Sequence, residues 1–224
     1  MGSRVSSTAV RVGIGVLGLA LAASACGGQV KMGAAATFDN GRISTAALDD
    51  DVQAWTKEFT ATPVAGQVRQ QVEQSQGNSA PWDSTSPSRS TLQRLVDLKV
   101  WDEAAVEQGI TVTDTEVDRV IQDNGGANWL KVFPLALGLP QSKARAYARE
   151  VAIQRAILTN SGQPLTAQIT QAQYNLLTSA YAKAITALNV KVNPRYGSRF
   201  PLLSDAGRVT YHLSKPDPGL SGAS

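Results

Sequence analysis

The apolar residues of this chain recur every three or four positions over most of its length, which is the spacing of one helix face. The pattern predicts helices beginning near Ala46 and over residues 90–108, 113–125, 142–160 and 166–188. A short, unusually apolar segment over residues 128–137 lies between two of these helices. Residues 62–89 are rich in Gln, Ser, Gly and Pro, so we expect a long surface loop or a disordered stretch there, with a weak helical turn at most over residues 67–74.

Several predicted helices carry signals at their ends. Ser44 or Thr45 provides an N-cap for the first helix, and Thr113-Asp114-Thr115-Glu116 forms a capping box at the third. Gly109 suits the position just after the second helix. Asp49-Asp50-Asp51 is expected in the first turn of the first helix, where the helix dipole favours carboxylates. A metal site is the alternative, but adjacent side chains on a helix point apart.

Two short stretches near the ends of the chain alternate apolar and polar residues, as strands do. Asn40-Gly41 predicts a β-hairpin with a type I′ turn, in which Phe38 and Ile43 pack inward. Val190 and Val192 form the second stretch. A hairpin alone is marginal in water, so we expect the two stretches to pair. The predicted fold is therefore mainly α, with a small β-sheet formed by the hairpin and a C-terminal strand.

The N-terminal residues have the order of a secretory signal. Arg4 and Arg11 precede an apolar run, and small residues follow up to Cys26. A cysteine after small residues resembles the lipobox of bacterial lipoproteins, which implies acylation of the Cys26 thiol. The alternative is a plain signal with an incidental cysteine. We expect a signal peptide over residues 1–25, a tether over 26–34, a helical domain over 35–203 and a disordered tail over 204–224, with lipid anchoring at the extracytoplasmic face of a bacterial cell membrane.

Composition and motifs argue against several classes of function. The chain has 21 Lys and Arg against 18 Asp and Glu, and loss of Arg4 and Arg11 with the signal leaves a nearly neutral chain, unlike a nucleic-acid binder. Cys26 is the only cysteine and His212 the only histidine. The sequence therefore lacks the sets of residues that cysteine- or histidine-based nucleophilic catalysis and zinc binding require. A glycine string resembling a dinucleotide fingerprint lies inside the predicted signal. We expect no cofactor, no nucleotide and no nucleic acid.

Paired carboxylates are the remaining catalytic possibility. Acidic residues lie on the second and third predicted helices: Glu103, Glu107, Asp114, Glu116 and Asp118. Such residues are common on the solvated face of any helix, so the pattern favours a surface over a site. The sequence also lacks the Gly-x-Ser-x-Gly string of a nucleophile elbow. We therefore expect that the protein is not an enzyme.

Several strings of the sequence resemble one family. Residues 37–44, residues 90–118 and the string Val190-Lys191-Val192-Asn193-Pro194-Arg195-Tyr196-Gly197 resemble actinobacterial lipoproteins with a SurA N-terminal-type domain. Gly109-Ile110-Thr111-Val112-Thr113-Asp114-Thr115-Glu116-Val117 resembles the joint between two helices in that family. The resemblance covers most of residues 35–197, except residues 62–89.

The resemblance implies a helical chaperone module whose two ends pair through their strands. Related foldases insert a parvulin-type prolyl isomerase domain between the last two helices, and the predicted connection over residues 161–166 is too short to hold one. We therefore expect an ATP-independent holdase that binds unfolded or newly exported proteins and has no isomerase activity. The alternative is a structural or adaptor lipoprotein that binds one dedicated partner.

The apolar segment before Gly138 holds the candidate client-binding residues Trp129, Phe133, Leu135 and Leu137. A holdase needs apolar surface in a helical cradle, and this segment is unusually apolar. The alternative is that these residues fill the core beneath the Gly125-Gly126 turn, and the pattern favours this alternative.

Overall fold

The computed structural model describes residues 33–76, 86–165 and 169–197. The predicted signal peptide, Cys26, the tether before Gly33, His212 and the predicted tail lie outside the described residues. Within the described part of the chain, no helix combines the length and the apolarity needed to cross a membrane.

The described chain is mainly helical and contains a small three-stranded sheet, which confirms the predicted fold class. The strands are β1 (Ala34–Phe38), β2 (Gly41–Ser44) and β3 (Lys191–Val192). The helices are α1 (Thr45–Thr60), α2 (Pro63–Gln76), α3 (Pro87–Glu107), α4 (Asp114–Asp123), α5 (Ala127–Ala136), α6 (Ala144–Asn160) and α7 (Gln171–Leu188). Short 3-10 turns at Gln141–Lys143 and Pro194–Tyr196 precede α6 and follow β3.

The sheet joins the two ends of the described chain. The strand order is β2-β1-β3, and β1 is antiparallel to both of its neighbours. Ala36 lies opposite Val192, so the predicted pairing of the hairpin with the C-terminal stretch is confirmed. Phe38 and Val190 are buried, and Ile43 is half-buried against the core. Ala34, predicted to end the tether, is instead fully buried in β1.

The turn of the hairpin differs from the prediction. A type I′ turn needs a positive φ at both central residues. The central residues are Asp39 and Asn40, whereas Asn189 is the only non-glycine residue with a positive φ in the described chain. The Asp39 amide donates to the Leu188 carbonyl at 3.0 Å, and the Asn189 side chain donates to the Asp39 carboxylate at 3.0 Å. The end of α7 therefore holds this turn, and the predicted type I′ turn is wrong.

Side-chain caps begin four of the described helices, and Ser86 provides the cap of α3. Ser44 caps α1, and Thr113 and Glu116 form the capping box of α4, both as predicted. A second capping box, formed by Thr170 and Gln173, begins α7 at Gln171. The last helix therefore starts later than the sequence pattern predicts, because a reciprocal cap satisfies the first free amides only at this point.

The three consecutive aspartates of α1 lie beyond its first turn. The helix begins at Thr45, so Asp49-Asp50-Asp51 follows the free amides on which the dipole effect depends, and the predicted interaction is wrong. Asp51 forms an ion pair with Lys143 at 3.5 Å, whereas Asp49 and Asp50 are exposed. These carboxylates point apart, as expected for adjacent residues of a helix.

The stretch predicted as a loop or as disordered contains the regular helix α2. Proline occupies its first position, where a missing amide hydrogen costs nothing. Ala65 is fully buried, and Gly66 lies close to Phe59 of α1, where an added Cβ would be 3.8 Å from the Phe59 ring. Arg69 covers the Trp55 ring at 5.7 Å. Small residues and one arginine therefore attach α2 to its neighbouring helix. A prediction based on the number of apolar residues does not detect such contacts.

Helix α3 lies at the centre of the domain and packs against α1, α6, α7 and β1. Its predicted apolar stripe is buried at Leu92, Leu95, Val96, Leu98, Trp101 and Ala105. Val106, predicted on the same stripe, is instead 70% exposed and lines a surface cavity near the end of α3. Between Ser90 and Trp101 every side chain except Lys99 is buried, including several polar ones.

The pairing of β3 can be tested by burying a charge in it. Val192→Asp should lower the free energy of unfolding by about 2 kcal/mol or more, because the new carboxylate would lack a partner. Val192 is 2% exposed. The neighbouring Lys191→Gln, at a half-buried position, is the control and should change stability by about 0.5 kcal/mol or less. Urea unfolding followed by circular dichroism measures both, and an unchanged midpoint for Val192→Asp would contradict the packing of β3.

Candidate functional site

Helix α5 and its C-cap carry all four candidate client-binding residues, and these residues lie in two different environments. Leu135 is 1% exposed and Leu137 is 7% exposed, so both belong to the core in this conformation. Trp129 and Phe133 are half-buried and pack against the core from one side. The two leucines therefore offer no binding surface here, whereas the two aromatic residues keep part of their surface exposed.

Trp129 and Phe133 form an aromatic cluster with Tyr147 of α6. The ring centroids of Trp129 and Phe133 are 6.1 Å apart, those of Trp129 and Tyr147 5.6 Å, and those of Phe133 and Tyr147 6.1 Å. These separations fall in the range of favourable aromatic pairs. Tyr147 is buried, so it forms a fixed base for the two half-exposed rings. The aromatic cluster thus presents apolar surface in a defined position.

Helices α1 and α2 hold the C-terminal end of α5. The Trp55 indole donates to the Leu135 carbonyl at 2.8 Å, and the Arg69 guanidinium donates to the Ala136 carbonyl at 3.1 Å. These carbonyls lie in the last turn, which has no further helical amides to bind. Trp55 also stacks on Phe59 at 5.1 Å. The position of α5 is therefore fixed from both neighbouring helices.

A cavity of about 420 Å³ opens to the surface between the end of α1 and α5. The Gln141 amide donates to the Glu58 carboxylate at 2.7 Å, and the Gln141 side chain donates to the Lys131 carbonyl at 2.8 Å. The volume is in the range of small-ligand pockets and would hold one or two apolar side chains. The lining residues are Glu58, Ala61, Thr62, Ala127, Leu130, Lys131, Leu135 and Gln141.

A buried ion cluster, absent from the sequence-based predictions, joins α3, α6 and α7. We define it as Arg94, Asp97, Glu150 and Tyr181, all of them buried. The Arg94 guanidinium donates to Asp97 at 2.7 Å and to both Glu150 oxygens at 3.1 and 2.9 Å. The Tyr181 hydroxyl donates to the second Asp97 oxygen. The Gln154 side chain adds a bond to Glu150 at 3.2 Å.

The cluster holds one guanidinium against two carboxyl groups, so ionising both carboxyls leaves an excess negative charge in the interior. Burial raises the pKa of Glu150 to about 7, although the Arg94 charge lowers it. Burial also raises the pKa of Asp97, against the influence of Arg94 and of the Tyr181 hydroxyl. For Arg94, burial lowers the pKa, but Glu150 and Asp97 outweigh it and hold the guanidinium charged. Changes in the protonation of the cluster therefore take place at its two carboxyl groups.

The ion cluster and the aromatic cluster are neighbours. The Arg94 guanidinium lies over the Tyr147 ring, 5.7 Å from its centroid. The sequence contained one signal for this arrangement. Arg94 and Asp97 are three residues apart and lie one helical turn from Leu98 and Trp101, on the face assigned to the core. Charges within an apolar stripe indicate a buried pair when a partner helix supplies the countercharge.

The remaining acidic candidates take part in surface contacts. Asp114 and Asp118 of α4 both bind Arg145 of α6, at 3.1 and 2.6 Å. Glu116 accepts the Thr113 amide in the capping box, and this bond lowers its pKa. Glu103 lines a surface cavity, whereas Glu107 is exposed. Within the described ranges, no group of three or more His, Cys, Asp or Glu side chains is arranged to hold a metal ion.

Comparisons of the chain with protein-family models, with curated proteins and with solved structures found no match. The likeness to SurA N-terminal-type lipoproteins therefore rests on the strings quoted above. The described geometry defines a class of protein, namely a helical domain closed by a three-stranded sheet. Its candidate site contains the aromatic cluster on α5 and α6, in which Tyr147 is buried and Trp129 and Phe133 are partly exposed.

The buried ion cluster predicts that stability depends on pH. The pKa of Glu150 is higher in the folded chain than its usual value, so the folded chain binds this proton more tightly and stability falls as the pH rises. The fall runs from pH 4.5, the usual pKa, to about pH 7. Glu150→Gln removes this titration and should flatten the free energy of unfolding over that window.

Asp123→Asn is the matched control, because Asp123 is an exposed carboxylate that pairs with Arg155 at 2.8 Å on the surface. This variant should keep the wild-type slope. Urea unfolding at a series of pH values measures all three proteins. An undiminished slope in Glu150→Gln would show that the cluster does not carry the pH dependence.

Proposed function

We propose that the protein is an extracytoplasmic lipoprotein, anchored through acylated Cys26, that binds unfolded or newly exported proteins without ATP. The observation that carries this proposal is the aromatic cluster, in which Trp129 and Phe133 are partly exposed and pack against the buried Tyr147 ring. An apolar, partly exposed and fixed surface suits unfolded chains, because these display the apolar side chains that folded proteins bury.

The cavity beside α5 supports the same proposal. It offers room for side chains of a bound segment, and its rim includes Glu58 and Lys131 for polar contacts. A small apolar area gives weak binding once the cost of ordering the partner is subtracted, and weak binding permits release without an energy source. We therefore assign no catalytic residue, no cofactor and no metal ion to this activity.

A structural or adaptor lipoprotein with one dedicated partner is the competing function. The same aromatic surface would then bind a single folded protein. The two functions differ in the range of bound proteins, which crosslinking in intact cells measures directly. Many crosslinked proteins favour the holdase, whereas one stoichiometric partner favours the adaptor.

The aromatic cluster can be tested by truncating its exposed rings. Trp129→Ala and Phe133→Ala should weaken suppression of the aggregation of a denatured model protein, measured by light scattering without ATP. Suppression by the wild type should persist at high salt, since apolar contact is not screened. Both residues are half-buried, so each change should cost less stability than the roughly 3 to 5 kcal/mol of a fully buried aromatic residue.

Val106→Ala is the matched control, because Val106 is an exposed apolar residue at the C-terminal end of α3 and is not part of the aromatic cluster. It should leave both suppression and melting unchanged. A large loss of melting temperature in Trp129→Ala or Phe133→Ala would assign these rings to the core instead. The absence of any suppression by the wild type would leave the adaptor as the better function.

The lipid anchor has its own test. Each buried methylene contributes about 0.8 kcal/mol, and two acyl chains suffice for stable anchoring. Cys26→Ser should therefore move the protein from the membrane fraction to the medium, or leave it as an uncleaved precursor. Ser24→Ala, which keeps the cysteine, should remain in the membrane fraction. Equal labelling of wild type and Cys26→Ser by a metabolic lipid analogue would refute the lipoprotein assignment.

A further inference from the structure

Helices α3 and α7 run in the same direction, which gives the domain two distinct ends. Tyr181 of α7 contacts Asp97 and packs on Trp101 of α3 at 5.3 Å. Further along both helices, Val106 and Leu188 line the same surface cavity of about 380 Å³. The two N-termini therefore extend together away from this cavity. We call the end with Val106, Leu188 and the hairpin turn the turn end, and the opposite end the anchor end.

The described chain begins at the anchor end. The Asn193 side chain donates to the Ala34 carbonyl at 3.0 Å, at the start of β1. Four residues later, a Cβ placed on Gly197 would lie 3.1 Å from the Arg89 guanidinium, in the first turn of α3. The start of β1 and the start of α3 are thus joined through one short 3-10 turn. The segment that leads from Cys26 enters the fold at this end.

The anchor end also carries exposed apolar side chains. Leu165 is 57% exposed, Ile169 61% and Tyr174 52%; the first two precede α7 and Tyr174 lies in its first turns. We call these three residues the uncharged surface. From Ala156 to Ala182 the sequence has no charged residue, although charged residues make up 17% of the chain. This run includes all three residues of the uncharged surface.

The chemistry of this surface suits an interface between water and lipid. Burying charged groups costs several kcal/mol each unless they are paired, and none is present in this run. Tyrosine is enriched at membrane interfaces, because its ring is apolar and its hydroxyl remains hydrated. Leucine and isoleucine beside it add apolar area without directional requirements.

The short stretch of chain between Cys26 and Gly33 limits how far the anchor end of an acylated protein can lie from the bilayer. Gly33 lies seven positions after Cys26 in the sequence, and seven extended residues span at most about 25 Å. This is close to the length of α7 itself, because 18 residues of helix measure about 27 Å. An acylated Cys26 would therefore keep the anchor end within one helix length of the bilayer.

We propose that the uncharged surface, formed by Leu165, Ile169 and Tyr174, rests on the lipid bilayer and orients the domain with its turn end away from the membrane. This inference rests on the proposed lipid anchoring, and it adds a second contact to the single point of attachment. Two contacts fix an orientation, whereas a flexible tether alone leaves the domain free to rotate. The partner is the interfacial region of the bilayer, and no lipid headgroup of particular charge is required.

A site-specific fluorophore tests the orientation. Acylated Cys26 has no free thiol and is the only cysteine, so Ile169→Cys, Tyr174→Cys or Val106→Cys gives one labelling site. Each variant is labelled with nitrobenzoxadiazole and reconstituted in phosphatidylcholine vesicles that contain a spin-labelled phosphatidylcholine quencher. Labels at residues 169 and 174 should shift to shorter wavelength and be quenched. A label at residue 106, which is 70% exposed at the turn end, should show neither change.

A second arm does not depend on acylation. Residues 27–224 with an N-terminal hexahistidine segment are attached to vesicles that contain a nickel-chelating lipid, with the same labels. If only this arm attaches to vesicles and it shows the same pattern, the acylation proposal fails and the uncharged surface stands. Equal signals at the three positions in vesicle-bound protein would overturn the inference. A wavelength shift that is already present without vesicles and grows with protein concentration would also overturn it, because it would assign the surface to a second copy of the chain.

Discussion

The pairing of the buried Arg94 guanidinium with Glu150 and Asp97 is the constraint on which the arrangement of the helices depends. A buried charge without a partner costs several kcal/mol, so α3 and α6 must meet where Arg94 reaches both Glu150 oxygens. The second Asp97 oxygen accepts from Tyr181, which fixes α7 in the same register. Apolar packing tolerates sliding between helices more readily than this set of directional bonds does.

The same guanidinium supports the candidate binding surface. Arg94 lies over Tyr147, and Tyr147 is the base on which Trp129 and Phe133 rest. The half-exposed rings are therefore connected through one buried ring to the most strongly constrained part of the interior. A surface held in this way loses little conformational freedom when it binds a partner, so a modest apolar area suffices for measurable affinity.

Local signals in the sequence predicted much of the fold, whereas the candidate site depends on contacts between distant residues. Caps such as Ser44 and the alternation around Val192 act over a few positions, and both predictions are confirmed. Helix α2 was not predicted, because Arg69 and small residues, rather than a stripe of large apolar residues, attach it to α1 and α5. The partner of Arg94 is 56 residues away, so no local pattern identifies it. Similarly, periodicity assigned Trp129 to an apolar segment but could not separate its half-exposed ring from the buried Leu135.

The pairing of β1 with β3 has a consequence for the order in which the molecule assembles. Ala36 and Val192 are separated by nearly the whole described chain, and closing so long a loop is slow compared with forming local helices. A chain that crosses a membrane from its N-terminus delivers β1 first and β3 last. During this interval β1 lacks one of its two neighbouring strands and exposes an unpaired edge. Under the proposed export, the protein would itself pass through an incomplete state of the kind that a holdase binds.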